Sequence, residues 1–326
     1  MSQRFDFSRM GLINKSGAWG GAPKALMAPA DCTHMRKPGE TLEDLRIEID
    51  QIDDALHDLL IERTQLSRAI AKVKQVRDGG SDGLAPSFRP AREAAIVRRL
   101  LSRHSGDMPR RVLARIWREI IAASLQGQTR FQLHVYAAEN QPQLIDVAHA
   151  HFGSFTPVRL HTRPSLVVHA CAEEPDSVGV VPLPVIEEGG AAWWAQLAPA
   201  GEKGARVVAK LPFVSMEGDV AAYAIAAIEQ EPSGDDTTLL LLEIAPSVSR
   251  QKLRALLKRA GLDARLVAAG RLLDKNVPDE LLLEVRDFIA PTDPRLVNLA
   301  EAAGDIIGRV TPIGGYANPV ILPDPA

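Results

Sequence analysis

From Leu42 onward, apolar residues recur at Leu42, Leu45, Ile49, Ile52, Leu56 and Leu59, then at Leu66, Ile70 and Val73. Steps of three and four predict one long helix with a heptad seam. No Gly or Pro interrupts it before Gly79, and Thr41 with Asp44 three residues later supplies a capped start. The stretch from Asp78 to Ser87, dense in Gly and containing Pro86, predicts a loop. Pro90 suits the first turn of a second helix through about Arg103. Pro109 opens a third through about Gln128, with Leu113, Trp117, Ile120 and Ile121 on one side.

Beyond Thr129 the texture changes. Short β-branched runs at Gln132 to Ala137, Val178 to Val181 and Arg206 to Leu211 alternate with helical stretches and Gly or Pro turns, which predicts α/β material to about Gln230. Glu231 to Asp236 reads as a linker. After it come a strand (Thr237 to Ile244), a helix (Arg250 to Ala260), two strands (Ala264 to Leu272 and Glu280 to Phe288), a helix (Pro294 to Ile306) and a strand near Val310. That order, βαββαβ, implies a ferredoxin-like sandwich. The chain therefore divides into a tail (1–40), a helical domain (41–129), an α/β region (130–230) and a βαββαβ domain (237–326).

A length of 326 residues suits two or three domains, and 46% hydrophobic with 24% charged residues is globular composition. A formal net charge of -3 gives no overall attraction to nucleic acid or to an anionic membrane. The two cysteines, Cys32 and Cys171, lie far apart without metal-ligand spacing, so neither a disulfide framework nor a metal site is expected, and a reducing cytoplasm fits. The first forty residues hold no apolar run long enough for a signal peptide or a membrane span. They read as a mobile tail, and Met27 and Met35 leave a later start open.

The charges inside the helical pattern are more informative. Arg63 occupies a seam position between Leu59 and Leu66, where an unpaired cation must find an anion or reach water. A buried pair with an acidic neighbour would serve equally well. Lys74, eleven residues on and almost three helical turns away, projects from nearly the same face. Ser124 and Gln128, four apart, stack on one side of the third helix and continue its apolar stripe. Arg92 and Glu93 add a cation and a carboxylate near the start of the second. Together these residues outline a pocket with excess positive charge, one carboxylate and one amide, suited to a dianion bearing a hydroxyl.

Residues Leu42 to Gln128 resemble the all-helical chorismate mutase family, known alone or fused to prephenate dehydratase. The family's first-helix arginine falls on Arg46, its mid-helix arginine on Arg63 and its lysine on Lys74. Its second-helix arginine and glutamate fall on Arg92 and Glu93, and its last serine and glutamine on Ser124 and Gln128. Arg89 stands where the family carries an acidic residue that contacts the substrate hydroxyl. The resemblance implies an intertwined homodimer that rearranges chorismate to prephenate without nucleophile, metal or cofactor. Arg46 and Arg63 would grip carboxylates, Lys74 and Gln128 would donate to the ether oxygen, and Glu93 would accept from the ring hydroxyl. At about 1.5 Å per residue, Arg46 lies roughly 25 Å from Arg63 along an unbroken helix, so the resemblance implies that each pocket takes Arg46 from the partner. Every matched residue precedes Arg130, and a fragment ending there is expected to suffice.

Phe131 to Ile306 resembles the prephenate dehydratase and ACT regulatory domains of bifunctional relatives. Val178-Gly179-Val180-Val181-Pro182 is similar to a dehydratase Gly-Val-Val-Pro stretch, and Thr237 to Ile244 to the first ACT strand. Where the dehydratase family carries Thr-Arg-Phe, the best register gives Ala221-Ala222-Tyr223, so dehydration is expected to be lost. Ser249-Arg250-Gln251 and Ala268-Ala269-Gly270-Arg271 replace the family's phenylalanine-binding motifs. Other readings are a non-catalytic dimeric ligand sensor, a bifunctional mutase and dehydratase, and a nucleic-acid binder through Arg98, Arg99, Arg103, Arg110, Arg111, Arg115 and Arg118. Net acidity argues against the last, and a solvated surface accounts for those arginines. Trp193 and Trp194 fit core packing better than an interface.

Overall fold

The computed structural model describes residues 41–77, 87–138, 143–184, 187–188, 192–197, 204–245, 248–270 and 279–323. The expected tail, most of the Gly-rich loop, and Arg271 and Leu272 lie outside them. The chain splits into two compact units, Met1–Ala55 and Leu56–Ala326.

Helix α1 spans Leu42–Arg77. Its start is the expected reciprocal cap: the Thr41 amide donates to the Asp44 carboxylate at 2.9 Å, and the Asp44 amide donates to Thr41 Oγ1 at 3.2 Å. The Thr41 hydroxyl also donates to this carboxylate, at 2.6 Å, and that bond together with the one from the Thr41 amide holds the Asp44 carboxyl below its usual range. The heptad seam is open along its length, with Leu42, Ile49 and Ile52 exposed in the first unit and Leu56, Leu59, Leu66, Ile70 and Val73 exposed in the second.

Helix α2, Pro90–Arg103, begins with proline in its first turn, and α3 runs over Arg110–Gln126. The third helix thus ends two residues earlier than its apolar stripe implied. Gly127 caps it, and the Gln128 amide closes a turn onto the Leu125 carbonyl at 2.9 Å. The buried side of α3 is Ala114, Arg118, Ile121, Ala122 and Leu125. Leu113, Trp117 and Ile120, expected to face the core, are half-buried one step around the helix.

The α/β part comprises β1 (Gln132–Tyr136), α4 (Gln143–Phe152), β2 (Val158–His161), α5 (Pro164–Glu173), β3 (Ser177–Pro182), β4 (Glu187–Glu188), β5 (Arg206–Leu211), β6 (Val214–Ser215) and β7 (Ala222–Ala226). It is followed by β8 (Asp236–Ile244), α6 (Arg250–Arg259), β9 (Ala264–Gly270), β10 (Asp279–Val285), α7 (Pro294–Ala303), β11 (Ile307–Ala317) and β12 (Val320–Ile321). The expected βαββαβ order forms with strand order β11-β8-β10-β9, each neighbouring pair antiparallel, as in a ferredoxin-like sandwich. Leu253, Leu257, Leu296 and Leu299 of its helices bury against Leu240, Leu242, Leu281 and Leu283 of the sheet.

The linker reading separated this sandwich from the α/β region, yet one sheet runs through both, in the order β2-β1-β3-β7-β5-β11-β8-β10-β9-β4. The junction is Gly314 of β11, paired with Val207 of β5. Its φ is +116°, and a Cβ there would lie 2.1 Å from the Val207 carbonyl oxygen, so only glycine permits the approach. Across the seam, Tyr223 of β7 and Tyr316 of β11 donate to Glu284 of β10 at 2.9 and 2.7 Å, and Arg265 of β9 pairs with the same carboxylate. Burial would raise the Glu284 carboxyl, but these donors hold it below its ordinary value. Trp193 and Trp194 are buried beside Leu239, Leu241 and Leu282, which fits the core reading.

Two hydrophobic clusters decide where α2 and α3 sit. Phe88 and Leu125 are buried with Phe131, Leu133, Leu144 and Phe152. Val97, Leu101, Ala114 and Ile121 are buried with Phe213, which follows β5. Polar contacts lie alongside. Arg98 donates to the carbonyls of Ser233, Asp235 and Asn318, and Arg89 forms a bidentate pair with Glu231 at 2.9 Å. The solvated-surface reading therefore fails for Arg98, and also for Arg118, which is 6% exposed. Arg111 and Arg115 are exposed and pair with Asp219 and Glu119.

Candidate active site

Arg63, Ser67, Lys74, Arg89, Arg92, Glu93, Ser124 and Gln128 line one cavity of about 310 Å³, with Ile70, Ile96, Ile121 and Leu125 as apolar walls. That volume is at the low end of the roughly 300–1,000 Å³ usual for small-ligand sites. Three helices supply it. The eleven-residue spacing on α1 carries Arg63 and Lys74 onto the same side, the first turn of α2 presents Arg92 and Glu93, and the end of α3 presents Ser124 and Gln128.

Arg63 is half-buried. Its guanidinium donates to Ser124 Oγ at 2.5 Å and lies 5.9 Å from the centre of the Trp117 ring. Burial alone holds its pKa below the ordinary arginine value, so the alternative of an acidic partner is not met among the described residues. Ser124 Oγ in turn donates to the Ile120 carbonyl at 2.8 Å, which fixes the hydroxyl. Gln128 Nε2 donates to Ser67 Oγ at 2.8 Å. Although Gln128 lies past the helix end, this hydrogen bond holds its amide on the pocket wall facing α1.

Glu93 differs from its expected role in one respect. Its carboxylate is already engaged by Arg118 Nη1 at 3.1 Å, with side chains 12% and 7% exposed. Burial holds the Glu93 carboxyl above its ordinary value, and the Arg118 guanidinium offsets only part of that rise. Burial lowers Arg118 in the same way, and Glu93 opposes that. The arginine-rich sequence around it places Arg118 among the surface arginines. A contrary signal is present: it lies four after Ala114 and three before Ile121, on the apolar stripe, as Arg63 does on its own helix. Arg89 at the family's acidic position also lines the cavity, but its guanidinium is turned to Glu231.

Arg46 belongs to the first unit, where its exposed guanidinium lies 3.5 Å from Glu43. The cavity's lining comes entirely from residues beyond Ala55. Four cationic side chains and one carboxylate line the cavity, an excess of positive charge that suits an anionic ligand, and Glu93, Ser124 and Gln128 carry groups able to accept from or donate to a ligand oxygen. Among the described residues no cluster of His, Cys, Asp or Glu could hold a metal ion, and no helix is long and apolar enough to cross a membrane.

Comparison with known proteins gives the same segment. The family model for chorismate mutase type II matches residues 45–129. The bifunctional chorismate mutase/prephenate dehydratase of Pseudomonas aeruginosa is 34% identical over 87 residues, 26% of this chain and 23% of that protein. The bifunctional protein of Aquifex aeolicus is 34% identical over 98 residues, 29% of this chain and 25% of that protein. The chain thus matches about a quarter of the length of these curated relatives. Among solved structures, prephenate dehydratase from Streptococcus mutans is similar with a TM-score of 0.42 at 14% identity, covering 59% of this chain and 100% of that one. Prephenate dehydratase from Staphylococcus aureus gives 0.39 at 14%, covering 57% and 99%.

Proposed function

We propose that this chain, whose residues 45–129 form a chorismate mutase type II domain, rearranges chorismate to prephenate. One observation carries the reading: Arg63, Lys74, Arg92, Glu93, Ser124 and Gln128, scattered over three helices, line a single cavity. The reaction is an intramolecular Claisen rearrangement in which a carbon–oxygen bond breaks as a carbon–carbon bond forms, so the protein must fold the substrate and stabilise negative charge on the ether oxygen. Arg63 holds a carboxylate from a site where burial strengthens the attraction. Lys74 and Gln128 donate to the ether oxygen, and Glu93 accepts from the ring hydroxyl. A chorismate-consumption assay on the purified chain tests the reading, and no loss above the spontaneous rate would reject it.

The active unit on this reading is a homodimer in which Arg46 comes from the second copy. Support comes from the length of α1 and from the open seam of leucines and isoleucines along it, a contiguous apolar surface of the kind that marks an interface. Arg46→Ala and Lys74→Ala homodimers should each be severely impaired. Unfolded together and refolded at equal concentration, they should form about half mixed dimers, each with one intact site, and recover roughly a quarter of wild-type activity. No recovery, with mixed dimers established by native mass spectrometry, would falsify the shared site.

Dehydratase activity is absent on this reading. Ala222, Ala224 and Ala226 of β7 are buried in one core and Tyr223 and Ile225 in another, so the strand offers neither a free hydroxyl nor a cation where the family carries Thr-Arg-Phe.

A further inference from the structure

We propose that Arg118 is a positioning residue whose ion pair holds the Glu93 carboxylate aimed into the cavity, and that Phe213, from the sheet half of the chain, completes this support. The proposal rests on the mutase reading for its kinetic consequence only. Arg118 and Glu93 are consecutive links of one arrangement: Arg118 Nη1 meets Glu93 Oε2 at 3.1 Å, and the guanidinium lies 5.3 Å from the centre of the Phe213 ring. A guanidinium held both by a ring face and by a carboxylate loses freedom, so its N–H groups define where the carboxylate sits. The carboxylate's second oxygen is then left to accept from a ligand hydroxyl.

The surroundings explain why a cation is needed there. Glu93 shares the cavity lining with Arg63 and Lys74 of α1, Arg89 just before α2 and Arg92 on α2, and Arg118 on α3 donates to its carboxylate. Behind Arg118, His151 of α4 is buried against the Phe152 ring, and burial and then Arg118 hold it well below its ordinary pKa. Neutral His151 therefore neither competes for Glu93 nor neutralises it. Without Arg118, desolvation alone would act on Glu93 and favour its protonated form. The sign follows directly: a carboxyl raised in this way is neutral below its new midpoint and ionised above it, so lost function should return as pH rises.

The test compares wild type, Arg118→Met, Arg118→Lys and Glu93→Gln in the full chain. NMR of isotope-labelled glutamate carboxyl groups, with Glu93 assigned from the Glu93→Gln spectrum, should show its midpoint about one pH unit or more higher in Arg118→Met than in wild type. The chorismate KM of that variant should rise about tenfold at neutral pH and fall again as pH increases, with kcat changed less, because a hydroxyl contact is made equally in ground and transition states. Arg118→Lys should restore most of both readouts, and Glu93→Gln should give a raised, pH-independent KM. An unshifted Glu93 midpoint, or a KM defect that ignores pH, overturns the proposal. Should Arg118→Met not fold, Phe213→Leu keeps the ion pair but removes the ring beneath it. That variant should move both readouts in the same direction, and no movement overturns the proposal equally. The carboxyl titration needs no chorismate, so a wild-type chain without mutase activity would sink the proposed function while the Glu93 midpoint still decides the coupling.

Discussion

Replacing Lys74 by alanine is expected to lower turnover by about two to three orders of magnitude, the usual cost of removing a donor aimed at charge that develops in the transition state. Lys74 is half-buried on a wall of the cavity and shares that cavity with Gln128. Alanine is the best helix former, so α1 should persist and the thermal unfolding midpoint should hardly move. Gln128→Ala should act in the same direction, and it also leaves Ser67 without the amide that donates to it. Gln128 is a neutral amide, so activity should show no requirement for acid pH of the kind a carboxylic acid at that position would impose. Steady-state kinetics beside thermal unfolding separate the two effects. Unchanged turnover in either variant removes that side chain from the mechanism.

A fragment ending at Arg130 is expected to lose both cooperative folding and activity, although every matched polar residue lies within it. The sequence alone pointed the other way, because it showed where the polar residues were and not what the apolar ones touched. Phe88 packs edge-on against Phe152 with ring centroids 5.7 Å apart, and Leu125 is buried in the same cluster. Val97, Leu101, Ala114 and Ile121 share theirs with Phe213. Exposing large side chains such as Phe88 and Leu125 costs about 1.5–3 kcal/mol each, and a domain's whole stability is only about 5–15 kcal/mol. The fragment would also strand Arg98 and Arg89 without Ser233, Asp235, Asn318 and Glu231. Near-ultraviolet circular dichroism and chorismate turnover of the fragment check this. A soluble fragment that unfolds cooperatively and retains turnover would show that the sheet half is dispensable.

The helical half was legible because its signals are local. Steps of three and four mark α1, Thr41 and Asp44 mark its start, and Pro90 marks the first turn of α2. The βαββαβ order was readable for the same reason, since β-branched and leucine-rich runs alternate there with amphipathic stretches between Gly and Pro turns. Arg63 and Lys74 stood out because charge on an apolar seam conflicts with its surroundings.

What the sequence by itself determined, then, is the three helices, the βαββαβ order and the helix faces on which six of the cavity residues lie. The tertiary structure decided the rest. Ala222–Ala226 alternates alanine with Tyr223 and Ile225 over only five residues, and it becomes the buried strand β7 because one core takes Ala222, Ala224 and Ala226 and the other takes Tyr223 and Ile225. Nothing local to Gly314 marks it as the junction; it becomes one because Val207 of β5 lies against it too closely for any Cβ, and the sheet passes through there. Arg118 reads as one surface arginine among seven until Glu93 and Phe213 close around it. In each case the deciding partner is far away in sequence, and local propensity and periodicity carry no information about contacts between distant segments.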